Sequence, residues 1–212
     1  MSPADGRPAL ELVHLTVRFG GVAVVDDVSV AFEAGLVHAV VGRSGAGKSV
    51  LLKAAAGLLP RERGEVRVHR PPVVFVHQDP ALLDTLSVRE NVAFAVTRVR
   101  GLPRAEARAR ADEALARFGL AEVADADPGQ LAVALQKRAA LARAACLRPG
   151  VLIVDEPTTG LDPEAAAAVD DALALVPSEG TTLIVITHSP RTVARLRPRL
   201  IHLEGGRLEA AA

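Results

Sequence analysis

Tryptophan and tyrosine are absent from this chain of 212 residues, and only five phenylalanines are present. So few rings exclude an aromatic platform that would stack the bases of single-stranded nucleic acid. The 25 Lys and Arg residues balance 25 Asp and Glu residues, and this zero net charge argues against a basic surface over the whole protein. The lone cysteine, Cys146, cannot form an internal disulfide, and its apolar surroundings predict a buried side chain in a reducing compartment.

Long apolar runs are missing as well, because no stretch approaches the roughly 18 residues needed to span a bilayer. The first ten residues, MSPADGRPAL, lack a basic segment followed by an apolar one, so we expect no secretory signal. What is present is a globular composition, with 50% hydrophobic and 24% charged residues. The composition therefore predicts a soluble intracellular chain with one main core.

The apolar pattern predicts two kinds of strand. Residues 9–19 and 28–32 alternate between apolar and polar side chains, which is typical of half-buried antiparallel strands, and Gly20-Gly21 predicts a turn. Nearly continuous apolar runs instead predict parallel strands covered on both faces. These runs lie at residues 37–41, 151–154 and 183–187. Two further strands are expected at residues 64–69 and 73–77.

Helices are predicted between these strands from their caps and apolar faces. Ser87 and Glu90 form a capping box, Pro103 suits the first position of a helix, and Asp162 suits a helix N-cap. The predicted helices run from the end of the loop at 42–49 to about Leu58, and over 88–99, 103–118, 132–147 and 163–176. We therefore expect an α/β core with a parallel sheet, an N-terminal antiparallel subdomain and an inserted helical subdomain at about 79–147.

A glycine-rich loop carries the most specific chemical signal. Its eight residues fit the phosphate-loop pattern G-x-x-x-x-G-K-[ST], between a predicted strand and a predicted helix. They are Gly42, Arg43, Ser44, Gly45, Ala46, Gly47, Lys48 and Ser49. Glycines allow main-chain N–H groups to surround a phosphate, the lysine reaches the β- and γ-phosphates, and the serine hydroxyl ligates Mg²⁺. The loop predicts a nucleotide site.

Polar side chains follow three of the predicted strands. Asp155 and Glu156 come directly after 151–154, where Asp155 can hold Mg²⁺ and Glu156 can polarise an attacking water. His188 ends the strand at 183–187, where it can contact a γ-phosphate or merely cap the strand. Gln78 follows 73–77, and its amide oxygen can reach Mg²⁺ or water, although the spacing fits a solvated glutamine equally well.

Taken together, these motifs resemble the ATP-binding subunits of ABC transporters over roughly residues 9–207. The resemblance is carried by GRSGAGKS, by Gln78, by ARAACLRPGVLIVDEPTTGLDP and by ITHS. It implies ATP and Mg²⁺ as cofactors, with Phe19 stacked on adenine, Val50 following the Walker A loop, and Asp155 and Glu156 as the Walker B pair. It also implies that Gln78 couples the site to the membrane partner, that Gly160-Leu161-Asp162 contacts a second protomer, and that His188 is the switch histidine.

The implied partners are an integral membrane permease and a second nucleotide-binding domain, in a homodimer or a heterodimer, and not nucleic acid. The implied location is cytoplasmic, peripheral on the inner face of the cell membrane. GRSGAGKSVLL and QDPALLDTLSVRENVAF look most similar to the ATPases of Mla-type lipid transporters. Lipid transport and transport by a general importer or exporter stay open alternatives.

One segment departs from the family pattern. The signature Leu-Ser-Gly-Gly-Gln aligns with Leu131-Ala132-Val133-Ala134-Leu135, which lacks the hydroxyl and both glycines, and Pro128-Gly129-Gln130 is an imperfect substitute. A lost hydrogen bond to a charged group costs roughly 1.5–3 kcal/mol. We therefore expect either a heterodimer with one strong ATP site or a homodimer that turns over slowly. The β-hairpin expected between Gly64 and Gln78 is also short, and Leu36 replaces a frequent glutamate.

Two other functions compete with a transport ATPase. The degenerate signature is compatible with a nucleotide-dependent regulatory or dimerisation module that has little or no ATP turnover. A soluble ABC ATPase of translation or DNA repair is disfavoured, since such proteins usually carry two cassettes, coiled coils or zinc modules. Substitution of Glu156 by glutamine separates an ATPase from a module without turnover.

Overall fold

The computed structural model describes residues 7–209, with the side chains of residues 178 and 179 excepted. The expectation of no secretory signal concerns residues 1–10, of which 1–6 lie outside this part. The strands are β1 (Pro8–Phe19), β2 (Val22–Glu33), β3 (Val37–Val41), β4 (Arg63–Val68), β5 (Val73–Val76), β6 (Val151–Asp155), β7 (Thr182–Ile186), β8 (Arg199–Glu204) and β9 (Arg207–Leu208). The helices are α1 (Lys48–Ala55), α2 (Val88–Arg100), α3 (Arg104–Arg117), α4 (Val133–Ala145), α5 (Pro163–Ala174) and α6 (Pro190–Leu196).

The main sheet has six strands in the order β5-β6-β7-β3-β8-β9. The first five are parallel, and β9 returns antiparallel to β8. Every residue of β6 and β7 is buried, as the continuous apolar runs predicted. Alternate residues of β6 face two different cores: Leu152 and Val154 pack with the helical block, whereas Val151 and Ile153 pack with α1 and the antiparallel sheet. The predicted α/β fold class is confirmed.

A smaller antiparallel sheet, in the order β2-β1-β4, covers the second core. Its hairpin turns at Gly20-Gly21, as predicted, but β2 begins at Val22 because pairing with β1 continues up to the turn. The prediction of a short β-hairpin between Gly64 and Gln78 is wrong. There, β4 pairs with β1 while β5 pairs in parallel with β6, so the two strands belong to different sheets.

The helical block joins β5 to β6 and contains α2, α3 and α4. The Ser87–Glu90 capping box is present at the start of α2. Pro103 is the N-cap of α3 rather than its first residue, and α4 begins at Val133 and ends two residues before the predicted position. Asp162 caps α5 through the N–H groups of Glu164 and Ala165, as predicted.

The sequence patterns left residues 190–208 unassigned, although they form α6, β8 and β9. Only Leu203 of β8 is buried, so this strand lacks the apolar run that identified the central strands. Cys146 is buried, as predicted. Within residues 7–209, none of the helices combines the length and hydrophobicity needed to cross a membrane.

Candidate active site

The loop between β3 and α1 requires glycine at two positions. Gly42 has φ 151°, and a Cβ there would lie 2.0 Å from the Leu203 carbonyl oxygen. Gly47 has φ 98°, and a Cβ there would lie 2.5 Å from the Val24 carbonyl oxygen. The loop is therefore held between the backbones of β8 and β2, a fit that excludes any larger residue at either position.

The loop opens α1 without a side-chain cap. Gly47 is the N-cap and has no side chain that could accept a hydrogen bond, so the first N–H groups of the helix depend on an outside acceptor. Lys48 is buried, and its Nζ donates to the carbonyl oxygens of Gly42 and Arg43, each at 2.9 Å. The helix dipole and the ammonium group thus place positive charge at the same loop, which suits an anion.

A serine and a carboxylate meet beside the loop. The Ser49 hydroxyl donates to Oδ1 of Asp155 at 3.0 Å, which joins the start of α1 to the end of β6. Burial raises the pKa of the Asp155 carboxyl, while the Ser49 hydrogen bond and the Lys53 charge act in the opposite direction. A buried carboxylate next to a hydroxyl offers the oxygen ligands that Mg²⁺ prefers, so these side chains fit that ion.

Glu156 lies directly after β6 and is held from three sides. Its backbone N–H donates to the Ile186 carbonyl at 3.0 Å on the neighbouring strand. Its Oε1 is 2.9 Å from Nδ1 of His188, and its Oε2 accepts a hydrogen bond from the Thr159 hydroxyl at 3.1 Å. The φ angle of 45° is in the left-handed region, which costs a non-glycine residue about 1–3 kcal/mol and is a form of strain that clusters at functional sites.

One cleft of about 800 Å³ collects most of the predicted side chains. Its lining residues are Val24, Gly42, Arg43, Ser44, Gly45, Gly47, Lys48, Ser49, Val50, Gln78, Glu156, Thr159 and His188. Two predicted residues lie just behind this surface: Ala46 is buried within the loop, and Asp155 contacts Ser49. The acid, histidine and glutamine at the ends of β6, β7 and β5 therefore face the phosphate loop across a common cleft.

The structure does not bring Phe19 to this cleft. Phe19 ends β1, pairs with Val22 across the hairpin and is 48% exposed. Its contact with adenine stays a prediction. Val24, further along β2, lines the cleft instead because its backbone passes over Gly47.

The role of Thr159 was not predicted from the sequence, although this residue follows Glu156 by three positions in the turn after β6. Its N–H lies 3.4 Å from the Glu156 carbonyl oxygen, so this tight turn returns the hydroxyl to the carboxylate. The spacing was visible in the sequence, whereas the approach of Val24 to Gly47 was not.

The segment at 131–135 lies outside the cleft at the start of α4. Ala132 is the N-cap without a side-chain hydrogen bond, and Val133 is 53% exposed. The preceding residues Pro128–Gln130 form a 3-10 turn in which Asp127 accepts the N–H of Gly129. That N–H is already engaged, so the turn is a poor replacement for the signature.

The chain matches the family described as ABC transporter over residues 25–159. A profile for an AAA domain matches a shorter stretch, residues 129–194. The glutamate/aspartate import ATP-binding protein GltL of Escherichia coli is 34% identical, with 94% of this chain and 88% of that protein covered. The aliphatic sulfonates import ATP-binding protein SsuB of Mycobacterium avium is 37% identical, with 93% and 78% covered.

Solved structures agree with these relatives. CbiO1 from Clostridium perfringens, part of the ABC transporter complex cbiONQ, superposes with a TM-score of 0.85 at 28% identity, covering 96% of this chain and 88% of its own. The dimeric ATP-binding cassette MJ0796, bound to ADP and Pi after hydrolysis, gives a TM-score of 0.82 at 27% identity, covering 95% and 97%.

The sequence match and the fold lead to the same assignment as the phosphate loop. The relatives named here are ATP-binding proteins of importers, and none of their names mentions a lipid. The chain belongs to the ABC transporter family, as an ATP-binding subunit with ATPase activity.

Proposed function

We propose that this chain hydrolyses ATP in the 800 Å³ cleft to drive import through a membrane permease. The observation that carries the proposal is the placement of Glu156, held at 2.9 Å by His188, in the same cleft as the phosphate loop. The names of the relatives support the direction of transport.

The loop residues would bind the triphosphate. Gly45 and the N-terminus of α1 present main-chain N–H groups, and Lys48 exchanges its bonds to the Gly42 and Arg43 carbonyls for phosphate oxygens. Arg43, Ser44 and Val50 line the same wall. Ala46 anchors the loop to the rest of the fold, because its carbonyl accepts a hydrogen bond from the N–H of Gly206 at 3.1 Å.

Mg²⁺ would be held by Ser49, by Asp155 and by the amide oxygen of Gln78. The ion would neutralise charge on the phosphate oxygens. The hydrogen bond between Ser49 and Asp155 already brings two of these oxygen ligands together, and Gln78 lines the same cleft.

Glu156 would act as the general base. Its carboxylate takes a proton from water as the water oxygen forms a bond to the γ-phosphorus, and the bond from that phosphorus to the ADP oxygen breaks. His188 and Thr159 each contact one oxygen of the carboxylate, so they fix its orientation. His188 is 68% exposed at its side chain, which leaves it able to contact the γ-phosphate as well.

The chain would act with two partners, a permease in the membrane and a second nucleotide-binding domain, at the inner face of the cell membrane. We further propose that residues 1–212 form one nucleotide-binding domain, with its helical subdomain at about 79–147. Because Ala132, Val133 and Ala134 offer no hydroxyl and no bare backbone, the chain would be a weak signature donor for its partner. A heterodimer with one strong site, or a slow homodimer, follows from this asymmetry.

The substrate class stays a proposal. The named relatives import amino acids and sulfonates, so a small polar solute has their support. Transport of lipids by an Mla-type system has no support from them and remains a prediction from the sequence motifs alone.

Replacement of Glu156 by glutamine tests the catalytic assignment. We expect Glu156→Gln to lower phosphate release by roughly 100-fold or more, with ATP binding unchanged. Glu164→Gln, which alters an exposed acid on α5, is the matched control and should keep normal turnover. Unchanged release in Glu156→Gln would contradict the proposal and favour a module that only binds nucleotide.

A further inference from the structure

A buried lysine lies close to the cleft without contributing to phosphate binding, metal binding or water activation. Lys137 on α4 is only 7% exposed. Lys137 borders a small pocket with mostly apolar walls, among them Val76, Pro80, Leu141, Val154 and Val169. Its ammonium nitrogen donates to the main-chain carbonyl of Gln78 at 2.8 Å.

A second cation on the same helix donates hydrogen bonds to the chain just after Gln78. Arg143 donates to the carbonyl oxygens of Pro80 and Ala81, each at 2.8 Å. Residues 77–87 contain no helix or strand, so their main-chain groups depend on bonds from elsewhere. Two cations on α4 thus supply three hydrogen bonds to the chain at Gln78–Ala81.

Burial of the Lys137 ammonium group costs free energy that its hydrogen bond must offset. Lysine is among the residues that proteins least often bury, because its charge loses hydration. Burial lowers the pKa of Lys137, while the charges of Asp79 and Glu156 act to raise it. An apolar side chain could fill the same pocket without this cost, so packing alone does not account for a lysine at this position.

We propose that Lys137 is a positioning residue that fixes Gln78 relative to α4. Its hydrogen bond to the Gln78 main chain sets where the Gln78 side chain enters the cleft. The inference rests on the proposed function, since it assigns Gln78 a role in the reaction.

Two variants in the full chain separate the hydrogen bond from packing. Lys137→Met keeps the apolar stem and loses the donor, so kcat should fall roughly tenfold, the size expected for one lost bond to a charged group. The Kd for Mg-ATP should stay within about twofold of wild type, because the phosphate loop is untouched. Lys137→Gln retains an N–H donor and should recover part of kcat. Arg104→Met, an exposed cation on α3, is the control and should match wild type.

A second readout does not depend on turnover. Amide hydrogen exchange over residues 77–83 should be faster in Lys137→Met than in wild type, while exchange over residues 42–49 is unchanged. This result would support the positioning of Gln78 by Lys137 even if Glu156→Gln showed that the proposed hydrolysis is wrong. The inference is overturned if Lys137→Met keeps wild-type kcat, if Lys137→Gln is no better than Lys137→Met, or if ATP binding is lost together with kcat.

Discussion

Three helices, α1, α3 and α4, begin without a side-chain cap, and of these only α1 opens into the cleft. Ser87, Asp162 and Ser189 accept main-chain N–H groups at the starts of α2, α5 and α6, whereas the N-caps of the other three helices, Gly47, Pro103 and Ala132, accept none. Each uncapped helix presents the same dipole and the same unpaired N–H groups. The difference lies in the side chains around them.

At α1 the loop is bare where a ligand approaches and is anchored where it meets the fold. Gly45 has open space around it, while Gly42 and Gly47 are fixed against β8 and β2. Lys48 and Ser49 add a cation and a hydroxyl in the first turn. At α4 the corresponding positions carry methyl and isopropyl groups, and Val133 projects into solvent. A helix dipole alone is therefore not a nucleotide site; bare backbone, a cation and rigid anchoring are also needed.

The strand that leads into the phosphate loop carries a buried histidine, His38, which makes its stability testable by pH. Burial lowers the pKa of His38 to about 4, below its ordinary 6.5, so the folded protein resists protonation that the unfolded chain accepts. The stabilisation is complete above pH 6.5 and is lost as pH falls from 6.5 through 4. The loss amounts to about 3 kcal/mol.

Urea unfolding across this pH range checks that prediction. His38→Leu should lose less stability between pH 6.5 and 4 than wild type, because it has no imidazole to protonate. His202→Gln, an exposed histidine on β8, should follow the wild-type curve. If the free energy of unfolding falls equally with pH in wild type and in His38→Leu, protonation of His38 on β3 does not cause the loss of stability.

Restoring a signature at α4 would reduce the difference between the two helix starts. Changing Ala132→Ser, Val133→Gly and Ala134→Gly together supplies a hydroxyl and two bare positions. We expect steady-state ATP turnover of the purified chain to rise by about tenfold, the value of one hydrogen bond to a charged group. Ala116→Ser on α3 is the control for adding a hydroxyl elsewhere. No rise in the triple variant would show that α4 does not limit turnover.

A smaller effect is expected at Thr159, which belongs to the α1 side of the comparison because it lines the same cleft. Thr159→Val keeps the shape and removes the donor to Glu156. We expect kcat to fall by about three- to fivefold, less than the full value of a hydrogen bond to a carboxylate, because His188 still holds the other carboxylate oxygen. Thr159→Ser should stay close to wild type, and the Kd for Mg-ATP should not change. Equal activity of the valine and serine variants would show that the hydroxyl does not orient the carboxylate.

The sequence allowed much of the site to be predicted because that part of the site follows simple rules. Asp155 and His188 end two continuous apolar runs, and parallel strands β6 and β7 are neighbours, so their carboxyl ends meet at one edge. The phosphate loop was recognisable because its spacing lies within eight consecutive residues.

What the sequence did not predict depends on contacts between distant segments. Val24 enters the cleft because β2 crosses over Gly47. Lys137 lies on α4 and contacts the main chain of Gln78, which is 59 residues away in the sequence. β8 escaped notice because its side chains are mostly exposed. Phe19 was assigned by resemblance alone, and its strand ends away from the cleft lining.

Calorimetric titration with Mg-ATP of the wild-type chain and of Lys48→Met tests the central claim most directly. Lys48 supplies the only side-chain cation that donates into the loop carbonyls in the described part of the chain. The account predicts saturable binding by wild type and an affinity at least about tenfold weaker in the variant. Absence of binding by wild type, or equal affinities for the two proteins, would contradict it.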